Sequence, residues 1–66
     1  MFYVEIERGE SGYFVRRLYA ECVPGHFSCV EYWTGRAWRG GRDGRSFRKI
    51  YRTEAGAKRA AERLTR

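Results

Sequence analysis

Arginine recurs at every third position through one stretch of the chain, residues 34–52. The stretch holds seven basic residues and a single acid, Asp43, so its formal charge equals the +6 of the whole 66-residue chain. Six of the seven basic residues are arginines, whose planar guanidinium suits phosphate better than the lysine ammonium does. The composition of this stretch therefore predicts a surface that binds a polyanion. The regularly spaced residues are Arg36, Arg39, Arg42, Arg45 and Arg48.

Aromatic side chains such as Trp38 and Phe47 are interleaved with these arginines. Arginine and aromatic residues together contact the nucleic-acid backbone and stack on bases. A basic segment can also serve solubility alone, but lysine would provide the same solubility as arginine. We therefore expect DNA or RNA as the partner. The predicted nucleic-acid-binding residues are Arg36, Trp38, Arg39, Arg42, Arg45, Arg48, Lys49 and Arg52.

The length of the chain limits what can position these residues. A chain of 66 residues is expected to form one domain, residues 1–66, with a small core and no deep enzyme cleft. An apolar fraction of 42% is too high for a disordered tail. The sequence contains neither a charged-then-apolar leader nor an apolar run of membrane-spanning length, so we expect a soluble cytoplasmic protein.

The first half of the chain has the pattern of a β-sheet. Apolar and polar residues alternate from Phe2 to Glu7, which predicts a strand with one solvated face. Two glycines in residues 9–12 predict a hairpin loop, followed by a second strand at residues 13–20. The apolar residues of this second strand fall on both parities, which predicts a central strand covered on both faces.

Further turns and strands are predicted up to Tyr51. Pro24 followed by Gly25 favours a type II turn, and residues 27–33 form the third predicted strand. Thr34 and Gly35 indicate a tight turn that leads into a short returning strand at residues 36–39. Three glycines in residues 40–44 predict a mobile loop, after which residues 45–51 are expected to be extended.

The last segment predicts a helix, with Thr53 as its cap and Glu54 in its first turn. Its apolar residues have the spacing of one helical stripe, which should cover the sheet face that includes Val4, Ile6 and Val15. The predicted fold class is α+β, a three- to four-stranded antiparallel sheet packed against one C-terminal helix. The stripe consists of Ala57, Ala60, Ala61 and Leu64.

Candidates for catalysis or metal binding are few. His26 is the only histidine, and in a turn of so small a protein it is expected to be solvated. Cys22, Cys29 and His26 are one ligand short of a closed tetrahedral zinc site. The two cysteines do not face each other across a turn centred on Pro24 and Gly25, so free thiols are expected. We predict no catalytic residue, no metal and no other cofactor.

The segment Y-R-T-E-A-G-A-K-R-A-A-E-R-L, residues 51–64, resembles the helix entry of APETALA-type DNA-binding domains and of the arm-binding domains of tyrosine recombinases. That resemblance implies three antiparallel strands and a helix, with the sheet in the major groove of DNA. It nominates Arg36, Trp38, Arg45, Arg48 and Arg52 as contacts. The same helix is similar to the last helix of double-stranded RNA-binding domains, with Lys58 and Arg59 near phosphate-contacting positions, although no counterpart of that family's first helix is predicted.

A protein partner is the alternative. Small arginine-rich proteins of this kind are also similar to those that phages and mobile elements encode, including anti-CRISPR proteins. Such a protein would inhibit a host defence complex, either a protein or a ribonucleoprotein, and its exposed aromatics and arginines would anchor that interface. A strand-rich chain of this length can also form a homodimer through a sheet edge.

Overall fold

The computed structural model describes residues 2–19 and 30–65. Four antiparallel strands form one sheet in chain order: β1 (Phe2–Gly9), β2 (Gly12–Tyr19), β3 (Val30–Trp33) and β4 (Trp38–Gly40). Two helices follow, α1 (Gly41–Ser46) and α2 (Glu54–Thr65). The predicted α+β class, an antiparallel sheet with a C-terminal helix, is confirmed.

The β1–β2 hairpin turns where the sequence predicts it. Gly9 pairs with Gly12, which leaves Glu10 and Ser11 as the loop. Gly12 has φ +143°, and a Cβ at this position would lie 2.5 Å from the carbonyl oxygen of Tyr51. A glycine is therefore needed here, because the backbone of Tyr51 closes directly onto the start of β2.

Helix α2 covers the sheet face that carries Val15, as predicted. Val15, Ala57 and Ala60 are fully buried, and Val4 and Ile6 pack against them. Because alanine has no side chain beyond Cβ, the helix can lie close to the strands. The predicted cap is confirmed, since the amide of Gly56 donates to Oγ1 of Thr53 at 3.1 Å.

The opposite face of the sheet is covered in part by α1, and here two sequence expectations are wrong. Residues 40–44 were expected to form a mobile loop and residues 45–51 an extended segment, but Gly41–Ser46 is helical. Of the expected extended segment, Tyr51 alone forms a bridge. Its amide donates to the carbonyl of Tyr13 at 2.7 Å, and the amide of Tyr13 donates to the carbonyl of Tyr51 at 2.8 Å. The returning strand is confirmed, although it occupies Trp38–Gly40 and not residues 36–39.

Several expectations fall on residues 20–29, which lie outside the described residues. They are the type II turn, the solvated His26, the free thiols of Cys22 and Cys29, and the start of the third strand. Among the described residues, no helix has the length and apolarity required to cross a membrane.

Glu31 ties β2 to β3 beside the core. Its carboxylate accepts a hydrogen bond from Nε of Arg17 at 2.6 Å and another from the hydroxyl of Tyr19 at 2.7 Å. Partial burial by itself would raise the pKa of Glu31, but the bonds from Tyr19 and Arg17 outweigh it and hold the pKa below its ordinary value. The bond to Glu31 raises the pKa of Tyr19 in turn.

This depressed pKa gives a prediction for stability against pH. The ionised form of Glu31 favours the folded state above its ordinary pKa of 4.5, and this contribution is lost as pH falls toward the folded pKa. Glu31→Gln should therefore destabilise the protein near neutral pH, and its deficit relative to wild type should shrink at about pH 3. Chemical unfolding at both pH values measures this. Glu54→Gln, which changes an exposed ion pair with Lys58, is the control expected to have little effect.

Candidate nucleic-acid interface

The β3–β4 turn and α1 bring several predicted arginines to the sheet face opposite α2. Arg39 follows Trp38 on β4 and therefore points away from the α2 side. Its Cζ atom lies 5.5 Å from the ring centroid of Phe47, which is 60% exposed. Arg36, on the turn, shares a shallow depression with Arg39 and Phe47. An exposed aromatic ring thus lies beside the guanidinium of Arg39 and in the same depression as Arg36.

Thr34 shapes the turn that presents Arg36. Its amide and its hydroxyl both donate to the carbonyl of Ala37, at 3.1 and 3.0 Å. The hydroxyl oxygen also accepts from the amides of Arg36 and Ala37, at 3.4 and 3.2 Å. Gly35 has φ +97°, which a residue with a side chain rarely adopts. The predicted turn at Thr34 and Gly35 is confirmed.

Arg48 connects α1 to the sheet. Its Cζ atom lies 4.7 Å from the ring centroid of Phe14, and its Nη1 atom donates to the carbonyl of Arg45 in the last turn of α1. Its Nε atom is shielded from solvent and has no hydrogen-bond partner among the described residues. Arg48 therefore contacts Phe14 and the end of α1, and its Nε atom is a hydrogen-bond donor without an acceptor among the described residues.

A cleft of about 530 Å³ lies between the β1–β2 hairpin and the segment that contains Arg45 and Arg48. Tyr32, which is only 6% exposed, lines it together with Phe14, and the two ring centroids are 5.8 Å apart. The sequence alone did not place this cleft, because it depends on α1. Its lining residues are Glu7, Arg8, Gly9, Glu10, Ser11, Phe14, Arg16, Tyr32, Arg45 and Arg48.

Two predicted site residues lie on the α2 side. The Trp38 ring packs 5.5 Å from that of Trp33, and the guanidinium of Arg17 lies 4.6 Å from its centroid. Lys49 lies over the ring of Tyr51, with its Nζ atom 5.5 Å from the centroid, and shares a depression with Arg63. The structure therefore separates these two residues from Arg36, Arg39 and the cleft.

The remaining predicted residues are exposed. Arg42 lies on α1, and Arg52 lies in the short link between Tyr51 and α2. We use the name arginine face for the surface on the side opposite α2 that includes Phe47. Its basic residues are Arg36, Arg39, Arg42, Arg45 and Arg48.

The ion pairs of the described residues lie outside the arginine face. Arg16 bonds to both Glu5 and Glu7, with 2.5 Å between Nη2 and each carboxylate. The other ion pairs among residues 2–19 and 30–65 are Arg17 with Glu31 and Lys58 with Glu54. Within those ranges, no arginine of the arginine face is paired with a carboxylate. Arg59 and Arg63 on α2 are also without an ion pair there, so the arginine face differs from the rest of the surface in the number of arginines that it brings together.

Helix α1 is the feature that sequence reasoning missed. Glycine disfavours helices, so a segment with three glycines indicates a loop. Gly44 is buried, and a Cβ there would lie 2.0 Å from the carbonyl oxygen of Arg39. This glycine allows close packing of α1 on β4. Arg42 and Arg45 are three residues apart, a spacing that places two side chains on the same side of a helix. Both are exposed in α1 whereas Gly44 is buried, so this spacing is the signal that could have indicated a helix.

Within the described ranges, no group of three or more His, Cys, Asp or Glu side chains is placed to hold a metal ion. The resemblances of residues 51–64 to DNA-binding and RNA-binding families stay predictions. Comparison of the chain with family models, with curated proteins and with solved structures finds no match.

Proposed function

We propose that this protein binds nucleic acid through its arginine face. The observation that carries the proposal is an exposed phenylalanine, Phe47, next to Arg39 and in the same depression as Arg36, within a segment whose five arginines have no carboxylate partner among the described residues. Arginine donates to phosphate oxygens in a forked geometry, and an aromatic ring stacks on an unpaired base. Phe47 and Arg39 would supply both contacts at adjacent positions.

The proposed surface differs from the one that the resemblance to APETALA-type domains implies. In that arrangement a bare sheet enters the major groove. Here α1 covers the half of the sheet formed by β3 and β4, and Trp38 packs on the α2 side. The proposed contacts are therefore made by the β3–β4 turn, by α1 and by the residues just after it. Lys49 lies on the α2 side and Arg52 lies in the link that precedes α2, so neither residue is included in the proposed surface.

The size of the molecule sets the length of the probe. The longest dimension is 30 Å, which corresponds to about nine steps of 3.4 Å along one strand of DNA. A duplex of about 16 base pairs therefore exceeds the footprint of one molecule.

Fluorescence anisotropy across a salt series tests the proposal. Labelled DNA duplex, RNA duplex and single strands are titrated with the protein. Each neutralised phosphate on B-DNA contributes about −0.9 to the slope of log affinity against log salt, so contacts from five arginines predict a slope of about −4 to −5. Absence of binding to every probe at micromolar protein and low salt would contradict the proposal.

An affinity experiment separates this function from the protein-partner alternative. The protein is incubated with lysate that has been treated with nuclease. If a protein partner is recovered in stoichiometric amount while purified DNA and RNA do not bind, the arginine face serves a protein interface and the proposal is overturned.

A further inference from the structure

We propose that the cleft between the β1–β2 hairpin and α1 binds a terminal phosphate, the phosphomonoester at the end of a nucleic-acid strand. This inference rests on the proposed function, because it assigns one part of the same surface to one chemical group. The cleft adjoins the arginine face through Arg45 and Arg48, which belong to both. A nucleic-acid strand whose terminal phosphate lies in the cleft would therefore continue across the arginine face.

The cleft has donors on two walls. Arg8 and Ser11 come from the hairpin, whereas Arg45 and Arg48 come from α1 and the residues that follow it. A phosphomonoester has three terminal oxygens and needs donors from several directions, which a concave site supplies better than a flat surface does. The volume of about 530 Å³ exceeds that of a phosphate group and leaves room for part of the attached nucleoside.

The cleft is positively charged. Its charged lining residues are four arginines, Arg8, Arg16, Arg45 and Arg48, and two glutamates, Glu7 and Glu10, which leaves a net charge of +2. Glu5, which bonds to Arg16 from outside the lining, lowers this sum to +1. A positively charged cleft attracts a terminal phosphate, with a charge of about −1.5 to −2 near neutral pH, more strongly than an internal phosphodiester with a single negative charge.

Arg48 lines the cleft, and one of its guanidinium donors has no partner within residues 2–19 and 30–65. Its Nη1 atom is bonded to the carbonyl of Arg45, and its Nε atom is shielded from solvent without a partner among the described residues. A buried donor without an acceptor is costly, and such groups often have a functional role. Because Nε is shielded in this structure, the guanidinium would have to turn toward the cleft for a bound phosphate to accept from it.

The binding test compares strand ends. Single strands of about 12 nucleotides carry a 5′-phosphate, a 3′-phosphate or only hydroxyl groups, with the label at the other end. At least one phosphorylated strand should bind roughly tenfold tighter than the hydroxyl strand, as expected for charge-assisted hydrogen bonds gained at a single group. This advantage should fall as pH drops below about 6, where the phosphomonoester loses its second charge.

Variants locate the effect. Arg8→Gln changes a cleft wall outside the arginine face, so it should weaken the phosphorylated strand more than the hydroxyl strand and thereby reduce the advantage. The matched control is Arg42→Gln, on α1 but outside the cleft lining, which should weaken every strand and keep the advantage. Glu10→Gln removes the negative charge of the hairpin loop and should increase the advantage.

The outcomes separate this inference from the proposed function. Equal binding of all strand ends by the wild-type protein overturns the cleft assignment and leaves nucleic-acid binding in place. Failure of every strand to bind overturns the proposed function. Inorganic phosphate and adenosine 5′-monophosphate serve as competitors. If either displaces the phosphorylated strand as well as an unlabelled strand does, a free phosphomonoester is the ligand and the assignment to a strand end is wrong.

Discussion

Replacing Gly44 with alanine is expected to destabilise the protein by about 1–3 kcal/mol, the usual cost of overpacking. The added Cβ would lie 2.0 Å from the carbonyl oxygen and 2.6 Å from the carbonyl carbon of Arg39. These are backbone atoms of β4, so the clash cannot be relieved by a side-chain rotation. Helix α1 would have to move away from the sheet and carry Arg42 and Arg45 with it.

Helix propensity opposes this effect, which makes the sign of the result informative. Alanine is favoured over glycine in a helix by about 1 kcal/mol, so a helix with no packing constraint would gain stability from Gly44→Ala. Gly40→Ala is the matched control, because a Cβ there meets its nearest atoms at 3.6 and 3.7 Å, which is ordinary contact. Chemical unfolding measures both variants. If Gly44→Ala is as stable as Gly40→Ala, the packing of α1 described above is wrong.

The triple change of Arg36, Arg39 and Arg42 to glutamine is expected to reduce nucleic-acid affinity more than an equal loss of positive charge elsewhere on the molecule. Loss of three phosphate contacts should reduce the magnitude of the salt slope by about 3 and weaken binding to B-DNA roughly 10²- to 10³-fold near 0.1 M salt. All three side chains are exposed, so the free energy of unfolding should change little. Anisotropy gives the affinity and slope, and circular dichroism reports the fold.

The control for this variant removes the same charge from the other side of the molecule. Lys58, Arg59 and Arg63 are exposed on α2, and their change to glutamine lowers the net charge equally. If binding depends on total charge alone, the two triple variants will weaken it equally, and the assignment to the arginine face fails. A larger loss in the α2 variant would instead support the resemblance of that helix to double-stranded RNA-binding domains.

Local patterns in the sequence were sufficient for the sheet and for α2. The alternation in β1, the glycines at the hairpin and the Thr53 cap each act over a few residues, so the structure confirms them. Helix α1 could not be predicted in the same way. Its stability depends on contact between Gly44 and the backbone of Arg39, which no local pattern reports.

The candidate site was predictable in composition but not in arrangement. The arginine spacing identified the segment that carries the charge. Two features decide which of its residues share a surface. One is the face of the sheet toward which Trp38 points, and the other is the path of the link before α2, whose Lys49 bonds to the end of β3 and whose Tyr51 bonds to β2. Phe14 and Tyr32, which line the cleft, are distant in sequence from the arginines and were not included. These relations arise from tertiary packing.

The backbone pair between Tyr13 and Tyr51 has a mechanical consequence for binding. It attaches the link between α1 and α2 to the turn end of the same hairpin that supplies Arg8 and Ser11 to the cleft. A ligand held between the hairpin and α1 would add a second attachment between these two elements. Occupancy would then restrict motion of the hairpin relative to α1, and part of the binding free energy would appear as reduced flexibility on the side of the molecule that the ligand does not touch.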